Sequence, residues 1–119
     1  MNDATRLAQL ALLGEAADCV QSVAIFVWDD DRTYVAANAA AAELVGRPRE
    51  EILRMRVGDM SPNRAMPQFE DVQHGPLHQG SSQILRDDGS VVDIEWLTCR
   101  TKVAGLPYMV SICWRKDAP

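Results

Sequence analysis

The feature that most constrains this chain is an uninterrupted apolar run, VAIFVW, at residues 23–28. β-Branched and aromatic side chains dominate it, and such a run is typical of a strand that is buried on both faces. The acidic turn DDDR follows, and TYVAA then gives a second extended segment. The pattern therefore predicts a β-hairpin over residues 23–37.

A single asparagine separates the second predicted strand from an alanine-rich run. The side-chain oxygen of Asn38 can accept from the free N–H groups of a first helical turn, so Asn38 is predicted as an N-cap. AAAAELVG then forms a short helix that ends at Gly46, because glycine is favoured just beyond a helix C-terminus. RPREEILRM repeats this pattern, with Pro48 at an early helical position.

The segment from residue 57 to residue 80 carries weaker signals. Proline and glycine interrupt it several times, which predicts short helical turns. The following stretch, SSQILRDDGSVVDIEWLTCR, contains two extended runs around Asp87–Ser90, a strong hairpin signal. Apolar and acidic residues alternate over residues 92–96, which predicts one apolar and one acidic face. A last strand, YMVSICWR, follows a turn near AGLP.

Residues 3–20 have the apolar periodicity of an amphipathic helix. Leu7, Leu10 and Leu13 lie on its apolar side. We therefore expect two parts, an N-terminal amphipathic helix in residues 1–22 and a core domain in residues 23–119. The helix packs either on its own sheet or against a second copy of the chain, and the pattern leaves both arrangements open.

The composition limits the classes of protein. A chain of 119 residues forms one domain with a single core. Its 12 basic and 17 acidic residues give a net charge of −5, which argues against a nucleic-acid-binding surface. No apolar run approaches the ~20 residues of a membrane helix, and no signal peptide is recognisable. We expect a cytoplasmic protein that does not bind membranes.

The sequence contains no supported constellation for catalysis. The serine pair at residues 81–82 lacks a positioned histidine–aspartate pair, and no phosphate-cradling glycine loop is present. Cys19, Cys99 and Cys113 are odd in number and widely spaced, which argues against a disulfide framework and a zinc site. The acidic run at residues 29–31 is expected to be an exposed turn rather than a cation site. We expect a protein that is not an enzyme.

The order of these elements resembles the PAS domain family of sensory modules over nearly the full chain. VWDDDRTYVAAN resembles the family's first hairpin, with Asn38 as the asparagine at the strand end. AAAAELVGRPREEIL resembles the two short helices that follow, DMSP resembles the family's Asp-hydrophobic-x-Pro, and RDDGSVVDIEW resembles its Asp-Gly strand turn. The resemblance implies an α+β fold, a five-stranded antiparallel sheet with short helices on one face, preceded by the N-terminal amphipathic helix.

The resemblance also implies a site between the concave face of the sheet and the helices around residues 39–75. A small apolar or aromatic ligand would bind there, with indole N–H groups as polar handles. Buried aromatic residues are more often core than ligand site, so the alternative is that the protein's own side chains fill this space. The candidate pocket residues are Phe26, Trp28, Asn38, Leu44, Met60, Phe69, Leu85, Ile94, Trp96, Val110 and Ile112, with Trp114 at the end of the face.

Two cofactor classes of the resembled family can be judged from the residues. Its flavin-binding branch carries the reactive cysteine in an Asn-Cys-Arg-Phe-Leu-Gln helix, which this chain lacks, so flavin–cysteine chemistry is rejected. Its haem-binding members use a histidine on the helix before the third strand, near the position of His74. Gly75 and Pro76 break that helix, so His74 is a weak haem-ligand candidate and His78 a poorer one. No other cofactor or metal is predicted.

The resemblance further implies a homodimeric signalling module that acts on an effector domain or signalling protein. The candidate interface residues are Leu7, Leu10 and Leu13 on the N-terminal helix, with Ile25 and Val27 on the strand face opposite the short helices. Ligand binding would shift the population between two arrangements of that helix. The alternatives are a ligand-free protein–protein interaction scaffold and, less favoured, a haem gas sensor through His74.

The C-terminal end departs from the family's pattern. Many PAS domains end the last strand in Asp-Ile-Thr, which couples the sheet to a following helix. This chain reads ICWRKD there, with Trp114 about where the aspartate would stand. The N-terminal helix is therefore the expected relay.

Overall fold

The computed structural model describes residues 23–61, 77–103 and 105–116. Within them the chain forms β1 Ala24–Asp29, β2 Tyr34–Ala37, α1 Ala39–Val45, α2 Arg49–Ile52, β3 Leu77–Leu85, β4 Val91–Val103 and β5 Leu106–Arg115. The strands make one antiparallel sheet in the spatial order β2-β1-β5-β4-β3. The predicted α+β class and five-stranded sheet are confirmed, and the predicted N-terminal helix lies outside the described residues.

The first hairpin forms where the apolar run predicts it. β1 lies between β2 and β5, and every residue of the strand except Ile25 is buried. The acidic turn is ordered by its first residue, because Asp29 Oδ1 accepts from the N–H groups of Asp31 and Thr33 at 3.0 Å each. The expected exposed turn is confirmed for Asp30 and Asp31 but is wrong for Asp29, which is buried because its carboxylate accepts these backbone bonds.

Asn38 caps α1 and also joins the helix to β1. Its Oδ1 accepts from the N–H of Ala41 at 2.9 Å and from the N–H of Ile25 at 3.0 Å. Its Nδ2 donates to the carbonyl oxygen of Val23 at 2.8 Å. The side chain is fully buried, so these bonds satisfy polar groups that water does not reach. The predicted N-cap is confirmed.

The C-terminus of α1 is closed by Gly46 and by an arginine from the next hairpin. Gly46 has φ 67°, the left-handed conformation predicted for a C′ glycine. Arg86 Nε donates to Leu44 O at 3.1 Å, and Arg86 Nη2 donates to Glu43 O at 3.2 Å. A Cβ at Gly46 would lie 3.3 Å from Arg86 Nη2, so the guanidinium occupies the space beside the glycine. α1 is thereby held to the end of β3.

The segment after α2 covers the outer edge of β2. Tyr34 N–H donates to Met55 O at 3.2 Å, and Val57 N–H donates to Arg32 O at 2.8 Å. The side chain of Arg56 donates from Nε and Nη2 to the carbonyl oxygen of Asp31. One edge of the sheet is therefore hydrogen-bonded to a neighbouring segment.

β3 and β4 form the predicted second hairpin. Asp88 Oδ1 accepts from the N–H and the Oγ of Ser90, and Gly89 has φ 88°. β3 begins at Leu77, so the prediction of helical turns through residue 80 is wrong for residues 77–80. These residues pair with residues 96–99 of β4. The long partner strand supplies a cross-strand ladder that no local pattern in residues 77–80 reveals.

The sheet has two faces of different character. We call the face against α1 and α2 the helix face, and the opposite one the outer face. The buried cluster on the helix face consists of Ala24, Phe26, Ala37, Ala41, Leu44, Val45, Ile52, Met60, Ile84, Ile94 and Cys113. The outer face has a second cluster, in which Val27, Ala36 and Tyr108 are buried and Ile25 and Val110 are partly buried. The predicted placement of Ile25 and Val27 on this face is confirmed.

Candidate ligand site

The helix face of the sheet is built from cross-strand neighbours, which point to the same side in an antiparallel sheet. The register therefore determines which side chains from β1, β4 and β5 lie together. The rows that result are Phe26–Ser111–Thr98, Trp28–Met109 and Cys113–Trp96. Aromatic and sulfur-containing side chains surround two hydroxyl groups in this arrangement.

Three strands contribute to one buried polar network at the centre of this face. Trp28 Nε1 donates to Ser111 Oγ at 3.0 Å. Ser111 Oγ and Thr98 Oγ1 lie 2.7 Å apart and share a hydrogen bond. The exposed fractions of Trp28, Thr98 and Ser111 are 4%, 3% and 9%. We call Trp28, Thr98 and Ser111 the polar triad.

The polar triad contains one hydroxyl proton more than its hydrogen bonds use. Each hydroxyl carries one proton, and only one of the two protons lies between Thr98 and Ser111. In the described part of the chain, no acceptor takes the second hydroxyl proton. A buried donor without a partner costs about 1–3 kcal/mol, so an acceptor from outside the described residues would stabilise this position.

The two tryptophans of the helix face differ in burial. Trp28 is almost fully buried and packs against Met109. Trp96 is only partly buried, and it packs against the helix-face cluster and against Trp28 and Met109. Trp28 therefore acts as core filling and as a hydrogen-bond donor, whereas Trp96 offers a face that a ligand can contact.

Tyr34 and Cys113 add two weak acids to the same face. The rings of Tyr34 and Phe26 lie 5.5 Å apart between centroids, tilted by 49°. Burial raises the pKa of Tyr34, and Cys113 and Asp59 raise it further. Burial also raises the pKa of the Cys113 thiol to about 12. Both groups are neutral at pH 7, so Cys113 is not a thiolate nucleophile there.

Part of the predicted pocket set lies on the helix face or beneath it. Phe26, Trp28, Ile94 and Trp96 face the helices from the sheet. Leu44 and Met60 belong to the helix-face cluster. Asn38 lies at the N-terminus of α1. Whether these residues bind a ligand stays a prediction.

The predicted placement of Val110 and Ile112 on the helix face is wrong. Val110 pairs with Val27 and Ile112 pairs with Ile25, so both lie on the outer face. The side chains of β5 that face the helices are those of Met109, Ser111 and Cys113. The apolar sequence of β5 has no alternation that fixes its phase, and only pairing with β1 sets it.

The predicted placements of Leu85 and Trp114 are also wrong, because each side chain points to the opposite face of its strand. Ile84, and not Leu85, points into the helix-face cluster, while Leu85 is paired with the exposed Val91. Trp114 lies opposite Glu95 on the outer face, where its Nε1 donates to Glu95 Oε2 at 3.0 Å. Its side chain is 39% exposed, so it does not close the site.

Other candidates cannot be placed in the site. Phe69, Leu7, Leu10, Leu13 and the haem-ligand candidate His74 lie outside the described residues. For His78 the structure describes only the backbone, within β3. Within residues 23–61, 77–103 and 105–116, no group of three potential metal-ligating side chains lies together.

Thr98 and Ser111 are not among the pocket residues that the sequence pattern predicts. Each is a small hydroxyl residue inside an otherwise apolar strand, and each is buried. A buried hydroxyl requires a partner, so the pairing of Ser111 with Thr98 was a recognisable signal once the register of β4 and β5 was known. The sequence alone did not supply that register.

Comparison with known proteins agrees with the five-stranded sheet and its capped helices. A family model described as PAS fold matches residues 20–95, which is more than half of the chain. The chain belongs to this family. PAS domains are sensory and signalling modules, so the expected class of protein is confirmed at that level. No curated protein is significantly similar to this PAS domain in sequence.

Solved PAS structures resemble this PAS domain in fold. The PAS domain of a two-component sensor histidine kinase has a TM-score of 0.74 at 15% identity, and the alignment covers 98% of this chain and 100% of that one. The PAS domain of an HTR-like protein from Haloarcula marismortui has a TM-score of 0.74 at 19% identity, covering 94% and 96%. A LOV protein from Rhodobacter sphaeroides has a TM-score of 0.78 at 15% identity, covering 94% and 69%. At these identities the likeness concerns the fold alone.

Helices long and apolar enough to cross a membrane do not occur among the described residues of this PAS domain.

Proposed function

We propose that this PAS domain is a non-catalytic sensory module that binds a small, largely apolar or aromatic ligand on the helix face of its sheet. The spare hydroxyl donor of the polar triad is the observation that carries this proposal. It lies among apolar side chains, where an unpaired donor is unfavourable. A ligand acceptor at Thr98 or Ser111 removes that penalty.

The surroundings of the polar triad define the ligand's chemistry. Trp96 offers a partly buried indole, and Met109 and Cys113 add polarizable sulfur. These side chains carry no charge at pH 7, whereas Arg100 lies opposite Met109 on the same face. The ligand is therefore largely apolar, with a flat body and one carbonyl, ether or ring-nitrogen acceptor.

The signal leaves this site through Asn38. The Asn38 side chain bonds the N-terminus of α1 to Val23 and Ile25, where β1 begins. A ligand that displaces α1 changes the contacts of Asn38 with the start of β1. Residues 1–22, the N-terminal part predicted from the sequence, directly precede this point in the chain. We assign these residues to an amphipathic helix that mediates a homodimer, in which Leu7, Leu10, Leu13, Ile25 and Val27 take part. Ligand binding then shifts the population between two dimer arrangements.

The signal passes from this domain to another domain or protein. Solved relatives include the PAS domain of a sensor histidine kinase and a domain of a sensory box sensor histidine kinase/response regulator from Geobacter sulfurreducens. We infer an effector domain or signalling protein of a cytoplasmic pathway as the receiver of the signal.

A ligand-free interaction scaffold is the second candidate. The observation that favours it is the burial of Trp28, which fills its part of the helix face and has a protein partner for its indole N–H. If the residues around Trp96 complete this filling, the domain signals only through its protein contacts.

A thermal-shift screen with neutral aromatic compounds separates the two candidates. Compounds that bind the native state raise Tm by an amount that grows with the logarithm of their concentration relative to their dissociation constant. Thr98→Val should reduce the shift for compounds with an acceptor, because it removes one of the two hydroxyl groups that the polar triad offers. Thr101→Val is the matched control, since Thr101 lies on the same strand but pairs with Tyr108 on the outer face. If both variants retain the full shift, binding at the polar triad is wrong.

The homodimer is tested separately at the N-terminal helix. Leu10→Asp introduces a charge on the predicted apolar stripe, which should abolish the dimer and leave the far-ultraviolet circular dichroism of the core unchanged. Sedimentation equilibrium measures the association state. A Leu10→Asp chain that still sediments as the wild-type dimer would show that the helix is not the interface.

A further inference from the structure

The outer edge of β3 carries backbone groups that point away from the sheet. Leu85 N–H donates to Met60 O at 2.7 Å, and Leu85 O accepts from Arg47 Nη2 at 3.4 Å. Both partners lie outside the β3–β4 ladder, so the backbone of Leu85 points away from β4. On the other side of the ladder, Lys116 N–H donates to Asp93 O, which shows that the backbone of Asp93 points toward β5.

These bonds fix the direction of every backbone group in β3. The N–H and C=O of one strand residue point to the same side, and the side alternates along the strand. Gln79, Ser81 and Gln83 share the direction of Leu85, and their groups therefore point outward. Those of Gly80 and Ser82 point inward to β4. No described residue outside the strand bonds the backbone of Gln79, Ser81 or Gln83.

In its sequence and among the described residues around it, the β3 edge from Gln79 to Gln83 lacks the features that usually prevent edge-to-edge pairing. Residues 77–85 contain no proline, lysine, arginine, aspartate or glutamate. The β3–β4 register runs without a bulge from Leu77 to Leu85. Edge strands normally carry at least one such protection. The contrast with β2 is clear, because residues 55–57 cover the edge of β2.

The edge is also self-complementary. A two-fold axis at Ser81 would place Ser81 opposite itself and Gln79 opposite Gln83 of the second copy. All of these outward-facing residues would then form hydrogen-bonded pairs, and each pair exchanges two backbone hydrogen bonds. The side chains of Gln79, Ser81 and Gln83 are exposed and uncharged, so identical strands meet without like-charge repulsion.

We propose that β3 pairs antiparallel with β3 of a second copy of this chain, about a two-fold axis at Ser81, and joins two sheets into one. The pairing extends over residues 79–83 and ends before Leu85, where Met60 and Arg47 already bond the backbone. The proposed pairing involves residues 79–83 and none of residues 1–22, to which the proposed function assigns a different dimer contact.

Amide hydrogen exchange at increasing concentrations of the full chain tests this pairing residue by residue. The outward N–H groups of Gln79, Ser81 and Gln83 should become protected as the concentration rises. The inward N–H groups of Gly80 and Ser82 bond to β4 and should be protected throughout, which provides an internal control. Outward amides that stay unprotected in the associated protein would overturn the proposal. So would outward amides that are protected equally at every concentration.

A charge at the axis provides the second test. Ser81→Lys places two like charges opposite each other and should raise the dissociation constant of this association at least about tenfold. Val91→Lys is the matched control, because Val91 is exposed on the neighbouring strand and away from the edge. Leu10→Asp should leave the concentration-dependent protection intact. Association unaffected by Ser81→Lys, or protection lost in Leu10→Asp, contradicts pairing through β3.

Discussion

Asn38 Oδ1 accepts a hydrogen bond from the backbone N–H of Ile25 at 3.0 Å, although 13 residues separate them in the chain. The same oxygen caps α1 through Ala41. One buried side chain thus fixes the helix at the site to the start of β1, next to residues 1–22. This link explains why a helix of only seven residues keeps a defined position on the sheet.

Replacing Asn38 tests that link. Asn38→Ala should lower the free energy of unfolding by about 2–4 kcal/mol, because it leaves buried N–H and C=O groups of β1 and α1 without partners. Asn38→Asp retains the acceptor but loses the donation to Val23 O and buries a charge, so it should also destabilise. Urea unfolding measures both variants. Wild-type stability in Asn38→Ala would mean that the cap contributes little.

Gly46 and Gly89 form a matched pair for the contact between α1 and β3. Both have positive φ, but only a Cβ at Gly46 meets Arg86. Gly89→Ala should cost about 1–2 kcal/mol for its backbone conformation alone, and Gly46→Ala should cost about 1 kcal/mol more because it displaces the guanidinium. In an Arg86→Ala background that excess should disappear. Equal effects of the two glycine variants in the wild type would contradict the contact.

The polar triad predicts an order of stabilities. Ser111→Ala leaves the indole N–H of Trp28 buried without its acceptor and should cost about 1–3 kcal/mol. Thr98→Val keeps the bond from Trp28 to Ser111 and should cost less. Chemical denaturation followed by circular dichroism gives both values. A larger loss in Thr98→Val than in Ser111→Ala would show that the donation from Trp28 is not the stabilising bond.

The two tryptophans of the helix face should respond differently to truncation. Trp28→Ala removes a side chain that is 4% exposed and should cost about 3–5 kcal/mol. Trp96→Ala should cost less, because Trp96 is only partly buried, and it should change ligand binding. An equal loss of stability in both variants would favour the ligand-free scaffold.

Cys113 predicts a loss of stability at high pH. Burial raises its pKa in the folded state from the ordinary 9.0 to about 12, so above pH 9 the unfolded chain releases the thiol proton and the folded chain keeps it. The contribution of this thiol to the free energy of unfolding should therefore be complete below pH 9. It should fall between pH 9.0 and about pH 12, by up to about 1.4 kcal/mol per pH unit. Cys113→Ala should remove this part of the slope in urea unfolding. An unchanged slope would contradict the burial of the thiol.

The parts of this fold that the sequence predicted are those with short-range chemical causes. Asn38 and Gly46 mark the ends of α1 because cap residues satisfy particular backbone groups. Gly89 marks the second hairpin through its positive φ. The alternation at residues 92–96 fixed the phase of β4, since Asp93 and Glu95 avoid the face that packs against the helices.

The rest depended on pairing between strands that are distant in sequence. β5 is apolar on both faces, so nothing local decides whether Val110 or Ser111 points toward the helices. The pairs Val27–Val110 and Phe26–Ser111 decide it. A shift of the strand register by one residue moves every side chain to the other face. Without the register, the sequence does not show that Thr98 and Ser111 face the helices.

The most direct test of the sensory function is a native mass spectrum of the purified chain, followed by a spectrum of the same sample after denaturation. If the domain binds a ligand at the polar triad, we expect extra mass on the native chain that is lost on denaturation and that is reduced in Thr98→Val. The extra mass would also give the size of the ligand. A native spectrum with only the mass of the chain or its multiples would contradict a bound ligand and favour the scaffold, with Trp28 and Trp96 as filling.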